Sequence, residues 1–188
     1  MRPLSNPPHM PASRSRGFTL VELIITLSVL GILLTIGVPM LRPVVRSTGL
    51  RSTANRLVTA LNYTRSEAVT RGRTVAICAS ANPMAVNPTC VAAGNDVNWA
   101  TGWLVFVPAQ DGTVAEVLRV NGPFAGDMTL TGNAASVAFS NMGVALQGNA
   151  PFAPLPGDRV YLVRSQGLRG WDIRVVPGGR INNQREVL

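Results

Sequence analysis

Gly17-Phe18-Thr19-Leu20-Val21-Glu22-Leu23-Ile24-Ile25, the opening of an apolar run that continues to Val38, decides how the rest of this chain is read. Residues 18–38 offer about 21 positions dominated by aliphatic side chains. As a helix they rise roughly 31 Å, which matches the hydrocarbon core of a bilayer. One carboxylate, Glu22, lies inside that stretch. A charge at bilayer depth costs roughly 2.5–3.5 kcal/mol on insertion scales, so it marks a function. Cleavage after Gly17 would create a partner, because the new amine of Phe18 would be a cation close in depth to Glu22 of a neighbouring copy. Such a pair offsets the cost only in an assembly, so the motif reads as an instruction to polymerise. A plain one-pass anchor accounts for neither Gly17 nor Glu22.

Upstream, residues 1–17 are rich in proline and serine and include Arg2, Arg14 and Arg16. A secretory signal peptide places its cleavage site after its apolar region. Here the candidate site precedes it, so cleavage would leave the membrane helix attached. The arginines hold the leader in the cytoplasm, and the C-terminal part is expected on the far side of the membrane. All 17 basic residues are arginine, against 9 acidic ones, for a formal charge of +8. Loss of the three leader arginines leaves a mature chain near +5 (8 − 3).

Downstream, Pro39 and Pro43 remove backbone donors and are expected to kink or locally melt the helix. Beyond Gly49 the pattern becomes amphipathic. Leu50, Ala54, Leu57, Val58, Leu61 and Ala68 share one face, with Arg51, Arg56 and Asn62 opposite. Gly72 is placed to end the helix. Short β-runs then follow over 74–79, 103–107, 114–120, 128–130, 137–139, 160–164 and 172–176. They are separated by turn signals such as Gln110-Asp111-Gly112 and Pro177-Gly178-Gly179. The segment 147–158, with three prolines, reads as an ordered loop. The fold class is therefore α+β, a long N-terminal helix packed on an antiparallel twisted sheet. The organisation is a leader (1–17), a helix (18–72, with 18–38 transmembrane and 46–72 amphipathic) and a periplasmic β-rich head (73–188) ending in a basic tail.

Little in the chain supports catalysis. The single histidine, His9, belongs to the leader, and there is no lysine. Nucleophile–base arrangements thus lack their usual base, and no phosphate-cradling lysine loop exists. Asp96, Asp111, Asp127 and Asp158 sit beside glycine or asparagine, or within apparent turns, where capping is the expected role. Cys78 and Cys90 are too few for a zinc site, which takes four ligands. In an oxidising periplasm they are expected to form a disulfide worth roughly 3 kcal/mol. No cofactor or metal is expected.

Arg16-Gly17-Phe18-Thr19-Leu20-Val21-Glu22-Leu23 resembles the processing site of type IV pilins and type II secretion pseudopilins. Ala60–Gly72 resembles the end of the long helix in the FimT/GspH group, and Trp99–Phe106 resembles that group's strand motif. The resemblance implies a prepilin peptidase that cuts after Gly17 and methylates Phe18. It also implies assembly contacts through Glu22 and a helix-softening Pro39, with other major and minor pilins as partners. A minor pilin of the FimT/FimU kind is the leading expectation, and a GspH-like minor pseudopilin of type II secretion is its rival. Some FimT-like proteins hold DNA through an arginine-bearing C-terminal tail with a Gly-Arg-x-Arg pattern. Here Gly179-Arg180-Ile181-Asn182 lacks the second arginine, which leaves Arg169, Arg174, Arg180 and Arg185 as candidate DNA contacts.

Overall fold

The structure, a computed structural model, describes residues 17–124, 128–148 and 150–186, with Ile36 and residues 38–43 described by backbone alone. The leader before Gly17 and the turn residue Asp127 lie outside the described residues. The chain divides into two compact units, Met1–Arg42 and Pro43–Leu188.

One helix, α1 (Leu20–Arg71), accounts for 52 residues. Its start is written in the sequence. The Thr19 hydroxyl accepts from the Glu22 amide at 3.2 Å, and the Thr19 carbonyl accepts from the Leu23 amide at 3.1 Å. Threonine followed three residues later by glutamate is the pattern of a capping box, and an acid in the first turn also suits the positive end of the helix. Its end is equally explicit. Gly72 adopts φ +64°, the Gly72 amide donates to the Val69 carbonyl, and the Arg73 amide donates to the Ala68 carbonyl. That pair of bonds is a Schellman termination, which needs a left-handed residue at its hinge. The backbone stays helical through Pro39 and Pro43, so the local melting considered for these prolines is not seen. The bonds of the flanking turns evidently carry the helix across two missing donors.

In the second unit, the helix face expected to be apolar is the one that buries. Leu50, Ala54, Leu57, Leu61 and Ala68 are at most 1 % exposed, whereas Arg51, Arg56 and Asn62 are exposed. Each buried leucine on that stripe contributes about 1.5–3 kcal/mol by leaving water. Among the described residues ten strands follow: β1 (Val75–Ala79), β2 (Val97–Asn98), β3 (Trp103–Pro108), β4 (Val114–Asn121), β5 (Thr129–Gly132), β6 (Ser136–Phe139), β7 (Ala145–Gln147), β8 (Arg159–Arg164), β9 (Trp171–Val175) and β10 (Ile181–Arg185). They form two five-stranded antiparallel sheets rather than one, in the orders β4-β3-β1-β6-β7 and β10-β9-β8-β5-β2.

The main core joins the α1 stripe to side chains from both sheets, including Ile77, Val105, Phe139, Leu130, Tyr161 and Ile173. A second, smaller cluster of Ala76, Cys78, Leu104, Phe106 and Ala138 takes the alternate positions of β1, β3 and β6 and is packed by Cys90, Val114, Leu146 and Phe152. Strand residues alternate faces, so central strands buried on both faces read as continuous apolar runs. That is why β1 and β3 are buried throughout.

Candidate functional site

At the N-terminal end, Phe18 is 76 % exposed and a Cβ on Gly17 would meet no atom within 4 Å. Nothing in the fold itself requires glycine at position 17. Every described side chain from Phe18 to Thr35 is exposed, among them Leu20, Ile24, Leu27, Ile32 and Leu33. A helix that is apolar on all faces and exposed on all faces needs cover from outside the chain. Among the described residues no helix is long and apolar enough to cross a membrane; the span to Val38 is a feature of the sequence.

Three hydroxyls of this stretch are satisfied within the helix, and one carboxylate is not. Thr26 Oγ1 donates to the Leu23 carbonyl at 2.9 Å, Ser28 Oγ to Ile24 at 2.8 Å and Thr35 Oγ1 to Ile32 at 2.7 Å. Such back-bonding satisfies a hydroxyl without water. The Glu22 amide is capped by Thr19, yet among the described residues no donor reaches the Glu22 carboxylate. Glu22 is four positions beyond Phe18, about 6 Å at the rise of a helix.

In the head, Cys78 and Cys90 are joined, with their Cα atoms 5.6 Å apart and a sequence separation of 12. The bond ties the segment after β1 back onto that strand. Inside the loop the Asn82 carboxamide oxygen accepts from the Thr89 amide at 3.1 Å, and the Ser80 hydroxyl donates to the Thr89 carbonyl at 2.7 Å. Met84 and Val86 project from the loop, 72 % and 97 % exposed. Of the turn aspartates, Asp111 accepts from both the amide and the hydroxyl of Thr113, at 2.9 and 2.7 Å. Those bonds hold its carboxyl below the ordinary range, the hydroxyl contributing most. Asp96 sits in the left-handed region at φ +55°.

The four candidate DNA-contacting arginines are all exposed, and the sheet divides them. Arg174 lies opposite Asn182 whereas Arg185 lies opposite Trp171, an odd number of residues away along β9. Side chains alternate along a strand, so Arg174 and Arg185 emerge on opposite faces. Arg180 opens the β9–β10 hairpin near Arg174, and Arg169 lies beyond the other end of β9. The result is two pairs rather than one patch. The expected basic tail is an ordered strand, because Pro177-Gly178-Gly179 reverses the chain and β10 pairs along all of β9. Glu186 then anchors the end. Its amide donates to the Gly170 carbonyl at 3.0 Å, and its carboxylate meets Arg164 at 2.7 Å. Arg174 faces Asp172 at 3.9 Å, and Trp171 packs half-buried against the main core.

Sequence reasoning missed a second group of arginines. Arg51 and Arg56 on α1 and Arg119 on β4 line one concavity of about 420 Å³ floored by Trp103. The polar spacing along α1 was visible in the sequence; the approach of β4, more than fifty residues later, was not.

Residues 53–179 match the family described as Type II transport protein GspH, and residues 12–38 match the prokaryotic N-terminal methylation motif. This chain belongs to the GspH family. Two solved structures of the type IV minor pilin FimU from Pseudomonas aeruginosa share its fold at 24 % identity. One covers 72 % of this chain and 92 % of its own length with a TM-score of 0.52. The other covers 74 % and 90 % with a TM-score of 0.54. A comparison with curated proteins finds no match. The long helix on antiparallel sheets is thus the pilin-like architecture that the sequence implied.

Proposed function

We propose that this chain is a minor type IV pilin. In this reading a prepilin peptidase cuts after Gly17 and methylates Phe18. Residues 18–38 then hold the chain in the inner membrane, with the head in the periplasm, until other pilins take it into a fibre. The observation that carries the reading is the Glu22 carboxylate, which no donor reaches among the described residues, while the hydroxyls of Thr26, Ser28 and Thr35 each donate to a carbonyl of their own helix. A carboxylate in apolar surroundings requires a cation, and the Phe18 amine of an adjoining subunit is the one that cleavage supplies. The absence of any internal demand for glycine at position 17 supports an external one, recognition by the peptidase. The methylation motif over residues 12–38 points the same way.

A second reading, a minor pseudopilin of a type II secretion system, is favoured by the description of the family itself. The fold shared with FimU, described as a type IV minor pilin, favours the pilus. In both readings the protein is a structural subunit and not a catalyst. Glu22→Ala and Glu22→Gln test the shared core of the proposal. Membrane fractionation should find both variants inserted, and gel mobility should find both cleaved. Immunoblots of sheared fibres should find neither incorporated. Incorporation at the wild-type level would remove the pairing argument. A deletion strain separates the two readings, since loss of surface fibres identifies the pilus and loss of exported enzymes identifies secretion.

A further inference from the structure

From the trough between α1 and the edge strand β4 we infer a binding site for a single phosphodiester strand, distinct from the C-terminal arginines. Thr48, Ser52, Asn55, Thr59, Asn62 and Ser66 recur every three to four residues along α1 and so share one face. They line two adjoining concavities, of about 420 and about 790 Å³, that share Thr59 and Arg119. From Thr48 to Thr70 the trough follows roughly 33 Å of helix. Strand β4 forms its other wall and is an edge of its sheet, so no further strand closes it.

The charge is one-sided. Among the described residues, Arg51, Arg56, Arg65 and Arg119 line the trough, no carboxylate does, and no acid pairs with any of the four; Arg65 already donates to the Gly143 carbonyl at 3.0 Å, which leaves three for phosphates. Two of these guanidiniums are already oriented. Arg56 lies 5.1 Å from the centre of the Phe124 ring and donates to the Asn121 side chain at 2.8 Å, and Arg119 lies 5.5 Å from the centre of the Tyr63 ring. A guanidinium held over a ring has less freedom to lose on binding, and its planar fork suits a phosphate.

Arginine together with serine, threonine, asparagine and tyrosine is the side-chain set that contacts phosphates and sugars without reading sequence. The aromatic rings are covered by arginine or buried, so they offer no platform for bases. The site therefore holds a backbone and is indifferent to sequence. A run of phosphates meets cations on both walls, whereas carboxylates in a polypeptide fall at irregular reach. These features favour nucleic acid over an acidic protein segment.

The test uses the full chain in non-ionic detergent and a fluorescein-labelled 15-residue oligothymidylate, followed by anisotropy. Three phosphate contacts on a single strand predict that affinity falls about 20-fold between 50 and 200 mM salt. Arg51→Gln with Arg119→Gln should lower affinity at least tenfold and flatten the salt dependence. Arg174→Gln with Arg180→Gln should change affinity less than twofold. The proposal is overturned by no binding at 50 mM salt, by a larger loss in the C-terminal pair than in the trough pair, or by equal competition from a 15-residue polyglutamate. Both positions in the trough pair are exposed. If the double variant loses its folded circular dichroism spectrum, Arg51→Gln alone decides, with a threefold or greater loss supporting the site and an unchanged affinity refuting it.

Discussion

Removing the disulfide should separate what the covalent link does from what packing does. Cys78 is fully buried in the smaller cluster, and Cys90 packs against the same cluster from the loop. The bond closes a loop with a sequence separation of 12. In the chain-entropy account, cutting a loop of that size releases about 3 kcal/mol into the unfolded ensemble at 25 °C. Cys78→Ala with Cys90→Ala also empties two sulfur positions beside Leu104 and Phe106, which adds about 1 kcal/mol of lost burial. The sum, about 4 kcal/mol, is a large share of the 5–15 kcal/mol expected for a whole domain. For a head of this size it corresponds to a fall in Tm of roughly 10–20 °C. Tryptophan fluorescence in a thermal melt of the full chain in detergent reads it, since Trp99 and Trp103 are buried in the main core. A fall of less than about 4 °C would refute the reasoning. It would mean that the bond donated by Ser80 to the Thr89 carbonyl and the one Asn82 accepts from the Thr89 amide hold the loop without the link.

Two further outcomes follow from packing and burial. Leu57→Ala removes a fully buried side chain from the helix stripe and should cost about 2–5 kcal/mol in urea unfolding; Asn55→Ala, on the exposed face of the same turn, should cost under about 0.5 kcal/mol. Tyr161 is fully buried, its hydroxyl has no hydrogen-bond partner among the described residues, and burial pushes its pKa well above the ordinary tyrosine value. Above about pH 10 the unfolded chain loses this proton while the folded chain keeps it, so the contribution is full below that pH and declines as pH rises. Unfolding free energies compared between pH 9 and 11 should fall less steeply in Tyr161→Phe, by up to about 1.4 kcal/mol per pH unit. At neutral pH the same variant should match the wild type or exceed it, because the hydroxyl it loses is unpaired.

How far the sequence reaches depends on whether the deciding interaction is local. The end of α1 was read from Gly72, which acts on amides and carbonyls within a turn; its start, expected at Phe18, falls at Leu20, where Thr19 caps the first turn. The buried stripe followed from period alone. Seven strands were visible as β-branched or aromatic runs. The other three lack that signal. β2 has two residues and β7 has three, while β10 is Ile181-Asn182-Asn183-Gln184-Arg185, a composition that strands avoid. It is a strand because the Pro177-Gly178-Gly179 reversal delivers it to the free edge of β9. That turn was itself legible, so its hairpin could have been foreseen. The division into two sheets and the β4 wall of the trough depend on contacts between distant segments, which no local pattern reports.

The reading of Glu22 depends on the chain beginning at Phe18 when it meets its neighbours. Mass spectrometry of the polypeptide recovered from sheared surface fibres measures this directly. The account predicts an N-terminal peptide that starts at Phe18 and carries one added methyl group. A fibre-borne polypeptide that still holds the residues before Phe18 would contradict it, since no free amine would then lie near the depth of Glu22.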